Sequence, residues 1–336
     1  MTDDRQWIRE TLAHRPGRAV PYHFMFSPPA RARLEAHYAT RDLESALALP
    51  VRMSSPRSVK PLYAPPAEFG PTVTDEFGVT WTTSDMDRGS PVGPPLGEPS
   101  LAGYRWPDPA AAARFEHLDA WTRASASHYT FLWVGDLWER ATFLRGMEAI
   151  LTDLVLEPAF VEALLRGLTD HVLRTIEILC ARFRFDGVAL SDDYGTQRGM
   201  LMSPEHWRRF IRPRLAEIYA LARRQGRTVF HHSCGDIRPI IGDLIDIGLD
   251  VLHPIQPEAM DPLWLKREFG ADLALWGGLR TQDLLPRGTP QQVRDEVRRL
   301  KDVMGRGGGY VLEPGITLQA DVPLENLVAL VEEARA

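Results

Sequence analysis

Thr228-Val229-Phe230-His231-His232-Ser233-Cys234-Gly235-Asp236 reads as a strand, a turn and a helix entrance in succession. β-Branched and aromatic residues open the stretch, a glycine breaks it, and Asp236 stands where a helix N-cap belongs. Ile237, Ile240, Ile241, Leu244 and Ile245 then recur at i, i+3, i+4, i+7 and i+8, and Gly248 ends the run. That spacing buries one face of a helix. Val251–Pro254 is the next β-like run, so strand, helix and strand follow one another as a parallel βαβ unit.

Working outward, the same alternation fills most of the chain. Strands are expected at Ala19–Phe26, Pro50–Ser54, Thr130–Gly135, Gly187–Ser191, Thr228–His232, Val251–Pro254, Leu273–Trp276 and Tyr310–Leu312. Helical patterns lie near 30–47, 109–127, 137–150, 157–184, 204–225, 237–247, 261–269, 290–304 and 323–335. Ser203-Pro204 supplies an N-cap followed by proline at the first helical position. Eight strands with interleaved helices point to an α/β fold, a (β/α)8 TIM barrel spanning 1–336 as a single domain. Residues 56–108 break the alternation with prolines and glycines around Pro71–Thr74 and Gly78–Thr82. They are expected as a hairpin-and-loop insertion, over the barrel mouth or on its periphery.

Composition narrows the function classes. The chain has 336 residues, 44% hydrophobic and 25% charged, with 26 glycines and 27 prolines, as suits a globular protein with many short connections. Lys and Arg number 39 against 45 Asp and Glu, a net charge of −6, which disfavours a nucleic-acid partner. Two isolated cysteines, Cys180 and Cys234, make no disulfide framework and suit a reducing, cytoplasmic setting. Met1–Ala13 has no apolar run for a signal peptide, and no stretch is long and apolar enough to span a membrane. Cys180 falls within a helical run and is expected in the core.

In such a barrel the chemistry lies at the carboxyl ends of the strands. Those ends carry His23, Asp136, Asp192, Asp193, His231, His232, Cys234, His253, Gln256, Gly277, Gly278 and Glu313. On extended backbone i and i+2 point the same way, so His232 and Cys234 can present a nitrogen and a sulfur to one point. Cys234 two residues before a helix start would also gain from the helix dipole. This soft pair suits Zn²⁺, with Glu313 as first nominee for a third ligand and Asp193 as second. Read alone, His-x-Cys fits a buried thiol beside a hydrogen-bonded histidine equally well. Asp192 and Asp193 alternate in direction, one facing the mouth and the other bracing a loop. His253 is a candidate acid–base group or a structural histidine. Gly277-Gly278-Leu279-Arg280 either cradles an anion or makes a tight turn.

Taken in order, Phe185-Asp186-Gly187-Val188, Asp192-Asp193-Tyr194-Gly195-Thr196-Gln197, Ser203-Pro204-Glu205, His232-Ser233-Cys234-Gly235, Asp250 to Gln256, Trp276-Gly277-Gly278, Gly308 to Leu312 and Asp321 to Asn326 resemble the uroporphyrinogen decarboxylase superfamily. The resemblance runs from about Trp138 to the end. It implies a (β/α)8 barrel, and for one branch zinc-dependent methyl transfer linked to cobamides. The decarboxylase's Arg-Gln-Ala-Gly-Arg loop after the first strand is missing, since Phe26-Ser27-Pro28-Pro29 stands there and Arg15-Pro16-Gly17-Arg18 precedes the strand. A macrocycle rich in carboxylates would need those cations. The methyltransferase branch has a later cysteine where Glu313-Pro314-Gly315-Ile316 has none. With no Asp-x-His-x-x-Gly signature, a corrinoid would arrive on a separate protein.

The leading expectation is a methyltransferase that demethylates a small methylated substrate to a thiol or corrinoid acceptor. Zn²⁺ would sit at His232, Cys234 and Glu313, Asp193 and His253 would be catalytic, and His23, Asp192, Gln197, Gln256, Gly277, Gly278 and Arg280 would bind substrate. The alternative is a metal-free decarboxylase or lyase acting on a small carboxylate, with Gly277, Gly278 and Arg280 holding the acid. A third class is a non-catalytic barrel that binds a ligand. Candidate partners are the small-molecule substrate, a corrinoid protein and a second copy of the chain as a homodimer.

Overall fold

A computed structural model describes residues 3–15, 19–62, 64–86 and 89–336. Seven parallel strands form one curled sheet, ordered as in the sequence: β1 (Val51–Ser54), β2 (Tyr129–Gly135), β3 (Gly187–Ser191), β4 (Thr228–His232), β5 (Val251–Ile255), β6 (Ala274–Leu279) and β7 (Tyr310–Pro314). Helices alternate with them, as a (β/α)8 barrel requires. The eighth stave differs from expectation. Residues 19–26 are extended but joined to the sheet by isolated bridges, Tyr22 to Leu312 and Phe26 to Leu318. Pro21 accepts from Leu312 N–H yet has no N–H to return, and in the register of that bridge Pro314 has none to give His23 O, so the ladder stops on both sides. Of the Arg15–Arg18 segment, Pro16, Gly17 and Arg18 lie outside the described residues.

Two cores follow from strand alternation. Val51, Tyr129, Phe131, Ala189, Phe230, Val251, Ala274, Trp276 and Val311 pack together inside the barrel. Their neighbours along the strands, such as Val188, Val229, Leu252 and Leu275, join the larger core shared with the helices. The helix Asp4–Leu12, which the sequence reading did not anticipate, adds Ile8 to the inner core, while Arg5 and Arg9 pair with Asp186.

The insertion contains a three-stranded antiparallel sheet, Thr72–Thr74, Thr80–Thr82 and Pro91–Gly93, one strand more than expected. Asp75 organises it by accepting from the N–H groups of Phe77 and Val79 and from the Trp81 indole, at 2.9 to 3.0 Å. Arg140, on the helix Trp138–Arg145 after β2, reaches Asp75 at 3.1 Å, and Leu96 N–H donates to Leu144 O. Pro65 and Ser84–Met86 wall a cleft of about 1100 Å³ that also touches His23–Pro28 and β1. The insertion therefore lies beside the seam between the extended segment and β1. Among the described residues no helix is long and apolar enough to cross a membrane.

Candidate metal centre

Asp193, His232 and Cys234 converge where β3 and β4 end, each offering one ligand atom within 4.8 Å of the others. Alternation along β4 turns Phe230 and His232 inward and His231 outward. His231 is therefore no part of the site; its Nδ1 lies 2.7 Å from the Tyr219 hydroxyl, and burial pushes its pKa down to about 3. Past the strand the Cys234 loop packs on the Asp193 loop, backbone against backbone. A Cβ on Gly235, whose φ is +82°, would lie 2.3 Å from Gly195 C. This close approach lets Cys234 N–H donate to Asp193 Oδ1 at 2.8 Å. Asp193 Oδ1 and Cys234 Sγ stand 3.3 and 3.4 Å from His232 Nε2.

Electrostatics match that geometry. Burial pushes the Asp193 carboxyl up, but His232 and the Cys234 N–H outweigh it and hold it at about 2. Burial likewise disfavours charge on His232, yet Asp193 and Cys234 raise its pKa well above the usual histidine value. The expected helix dipole at Cys234 is absent: a 3₁₀ turn, Arg238–Ile240, comes first and the α-helix begins only at Ile241. Asp236, expected as the N-cap, does not cap either element: Ile237 holds that position for the turn and Ile240 for the helix, and the Asp236 carboxylate instead receives Arg238 N–H at 3.2 Å.

Behind His232 lies a buried chain of polar groups. His232 Nδ1 is 2.9 Å from His253 Nδ1, and His253 Nε2 is 3.5 Å from Glu313 Oε2. Glu313 Oε1 lies 3.2 Å from His23 Nδ1, and the Trp276 indole N–H donates to Glu313 Oε2. Burial lowers His253 to about 4, against the pull of Glu313, so this imidazole is neutral near pH 7. Burial raises Glu313, but His23 and His253 hold it at about 2. With its one proton toward Glu313, His253 turns the Nδ1 lone pair to His232 and accepts from His232 Nδ1–H. His232 Nε2 is then the atom free to face Asp193 and Cys234.

This corrects the nomination of Glu313 as third ligand. Its carboxylate lies on the far side of His253, and Asp193 is the acid in the cluster. Asp192 points away from the mouth, accepting from Leu137 N–H, Glu139 N–H and the Tyr194 hydroxyl at 2.9 to 3.0 Å, and so braces the start of Trp138–Arg145. Gln256 is buried and receives Gly235 N–H at 3.0 Å, steadying the cysteine loop. Gly277 serves strand packing, since a Cβ there would lie 2.4 Å from Ile255 N; its neighbour Gly278 has φ +98°. Gln197 is exposed. Arg280 is also exposed and pairs with Asp283 at 3.1 Å, which removes it from the acid-holding role. Sequence reasoning overlooked Trp133, whose ring meets His232 edge-on at 6.3 Å, and the tie from Trp276 to Glu313. The inward parity of Phe131 and Ala274 was the signal for both.

The comparisons with known proteins agree with this architecture. The family model described as uroporphyrinogen decarboxylase (URO-D) matches residues 137–336, more than half of the chain. The methylcobamide:CoM methyltransferase MtaA of Methanosarcina barkeri is 30% identical over 146 residues, covering 44% of this chain and 40% of that protein. A methylated-thiol--coenzyme M methyltransferase of Methanosarcina mazei is 29% identical over 142 residues, covering 40% and 34%. The matched regions thus span about two fifths or less of these relatives' lengths. A solved methyltransferase from Methanosarcina mazei superposes over 100% of this chain and 99% of its own with a TM-score of 0.74 at 18% identity, a likeness of fold. Strand order, the cluster at the strand ends and the matched C-terminal region lead to one assignment: the chain belongs to the uroporphyrinogen decarboxylase family.

Proposed function

We propose that the protein is a zinc-assisted methyltransferase that moves a methyl group between a small substrate and a thiol or corrinoid acceptor, the corrinoid being carried by a separate protein. The observation carrying this reading is the Asp193–His232–Cys234 cluster, an oxygen, a nitrogen and a sulfur within 4.8 Å at the mouth of the barrel. Three protein ligands with a fourth position open is the arrangement of catalytic zinc sites. The donor set fits Zn²⁺, which is borderline soft and accepts all three atom types. The names of the matched relatives support the reaction class. A thiolate ligand also suits a reducing cytoplasm.

When bound there, Zn²⁺ would supply Lewis acidity, lowering the pKa of an acceptor thiol or polarising an oxygen from which the methyl departs. The chain's own residues do the rest. His253 and Glu313 fix the His232 tautomer, and the Cys234 N–H fixes Asp193. Trp133 and Phe230 wall His232 and His253 with aromatic surface, which limits water on the histidine side of the cluster. Asp193 also shows 40% of its side chain to solvent, so it is the group that can meet an incoming substrate. One thiolate and one carboxylate make a harder site than two thiolates, favouring an oxygen-bearing methyl donor.

The test is metal content by elemental analysis of protein purified without chelator, followed by methyl transfer from methylcobalamin to small thiols. About one zinc per chain and chelator-sensitive demethylation are expected. Metal-free protein whose turnover ignores chelator would overturn the reading.

A further inference from the structure

We propose that the opposite rim of the barrel, where the strands begin, is an anion site for the phosphate group, free or carried on a small molecule. The helix Asp4–Leu12 lies at this rim, with Arg5 and Arg9 one turn apart. Arg184 comes just before β3 and Arg227 just before β4. These four arginines line one cavity of about 330 Å³, and among the described residues that line it Asp186 is the one carboxylate.

Asp186 is fully engaged. Oδ1 accepts from Arg9 at 2.8 Å, and Oδ2 accepts from Arg5 Nε at 3.1 Å and from the N–H and hydroxyl of Thr130 at 3.0 Å each. It balances one of the four positive charges. Among the described residues no ion pair reaches Arg184 or Arg227. Arg227 is held in place: its guanidinium lies over the Phe185 ring at 4.5 Å and donates to the Phe185 carbonyl. Its Nε is buried with no partner among the described residues.

An excess of three cations around a small cavity, in a chain of net charge −6, is a local arrangement and no by-product of a basic protein. Guanidinium forks match the oxygens of a tetrahedral anion and bind them in pairs. The Tyr129 and Thr228 hydroxyls, hydrogen-bonded to each other at 2.6 Å on the same wall, leave one O–H as a neutral donor. The volume suits a small ligand, and the overall acidity of the chain argues against a polynucleotide. An anion here would tie the Asp4–Leu12 helix to the entrances of β3 and β4, remote from the metal cluster at their exits.

Calorimetric titration of the full chain with inorganic phosphate and with glycerol 3-phosphate, at constant ionic strength against chloride, tests the proposal. Saturable binding is expected, together with a ligand-dependent rise in Tm. Tighter binding of the ester assigns the site to a phosphorylated small molecule, and equal binding assigns it to the free ion. Arg184→Ala/Arg227→Ala should weaken binding by about tenfold or more. Arg184→Glu, at an exposed position that leaves packing intact, should weaken it likewise. Cys234→Ser should bind phosphate as the parent does. Absence of saturable binding, or arginine variants that bind as tightly as the parent, would overturn the proposal.

Discussion

The Nδ1 atoms of His232 and His253 face each other at 2.9 Å, so the imidazole that meets Asp193 and Cys234 is held from behind by a second imidazole. One of the two must donate. Because His253 is held neutral and directs its other nitrogen at Glu313, the donor is His232. Glu313, the acid expected to bind metal, is therefore linked to the cluster through two histidines.

Glu313→Gln should keep the fold, because the amide can still accept from Trp276, but should weaken the hold on the His253 tautomer. A loss of about 10- to 100-fold in Co²⁺ or Zn²⁺ affinity is expected, the range for partners that orient a ligand. Co²⁺ titration followed by absorption reads it directly. An unchanged spectrum and affinity would show that Glu313 does not position His232.

Cys234→Ser and Asp193→Ala remove proposed ligand atoms from partly exposed positions and should leave Tm within a few degrees of the parent. Both should abolish stoichiometric zinc in elemental analysis. Cys234→Ser should in addition erase the sulfur-to-metal charge-transfer band of the Co²⁺ form, whereas Asp193→Ala should retain it in protein loaded at high Co²⁺.

Gly235→Ala places a Cβ against the Gly195 backbone at a φ of +82°. The cost should be about 1–3 kcal/mol, since neither backbone can give way as a flexible side chain would. Chemical denaturation measures it. Metal affinity should fall as well, because the Asp193 and Cys234 loops must part.

His171 supplies a pH dependence remote from the candidate metal cluster. Burial, with Arg114 and Arg140 nearby and Asp136 opposing them, lowers its pKa from 6.5 to about 4, and its ring packs on Phe77 at 5.2 Å. Between those values the unfolded chain binds a proton that the folded chain refuses. Stability from this group is complete above pH 6.5 and is lost as pH falls toward 4, by up to about 3 kcal/mol. His171→Gln should flatten that part of the stability curve in urea denaturation at pH 4.5 to 7.

Local patterns in the sequence carried much of the fold, and their failures have local causes. Seven strands were legible as short apolar runs closed by polar or glycine-rich turns, since parallel strands buried on both faces leave that mark. Pro21 and Pro314 broke the ladder expected at Ala19–Phe26, which no count of apolar residues reveals. The Asp4–Leu12 helix escaped notice because it buries little beyond Ile8 and Thr11 and carries charge on its other faces.

For the site, the sequence by itself determined which residues reach the strand ends and, through the period of two, that His232 and Cys234 share a direction. Distances between residues on different strands were another matter. Whether Asp193 or Glu313 completes the cluster depends on the curvature of the sheet and on the contact between Gly235 and Gly195, neither of which has a sequence period. Only the closed tertiary structure placed His253 between Glu313 and His232, because side chains pointing into a barrel meet partners fixed by its circumference and not by their spacing along the chain.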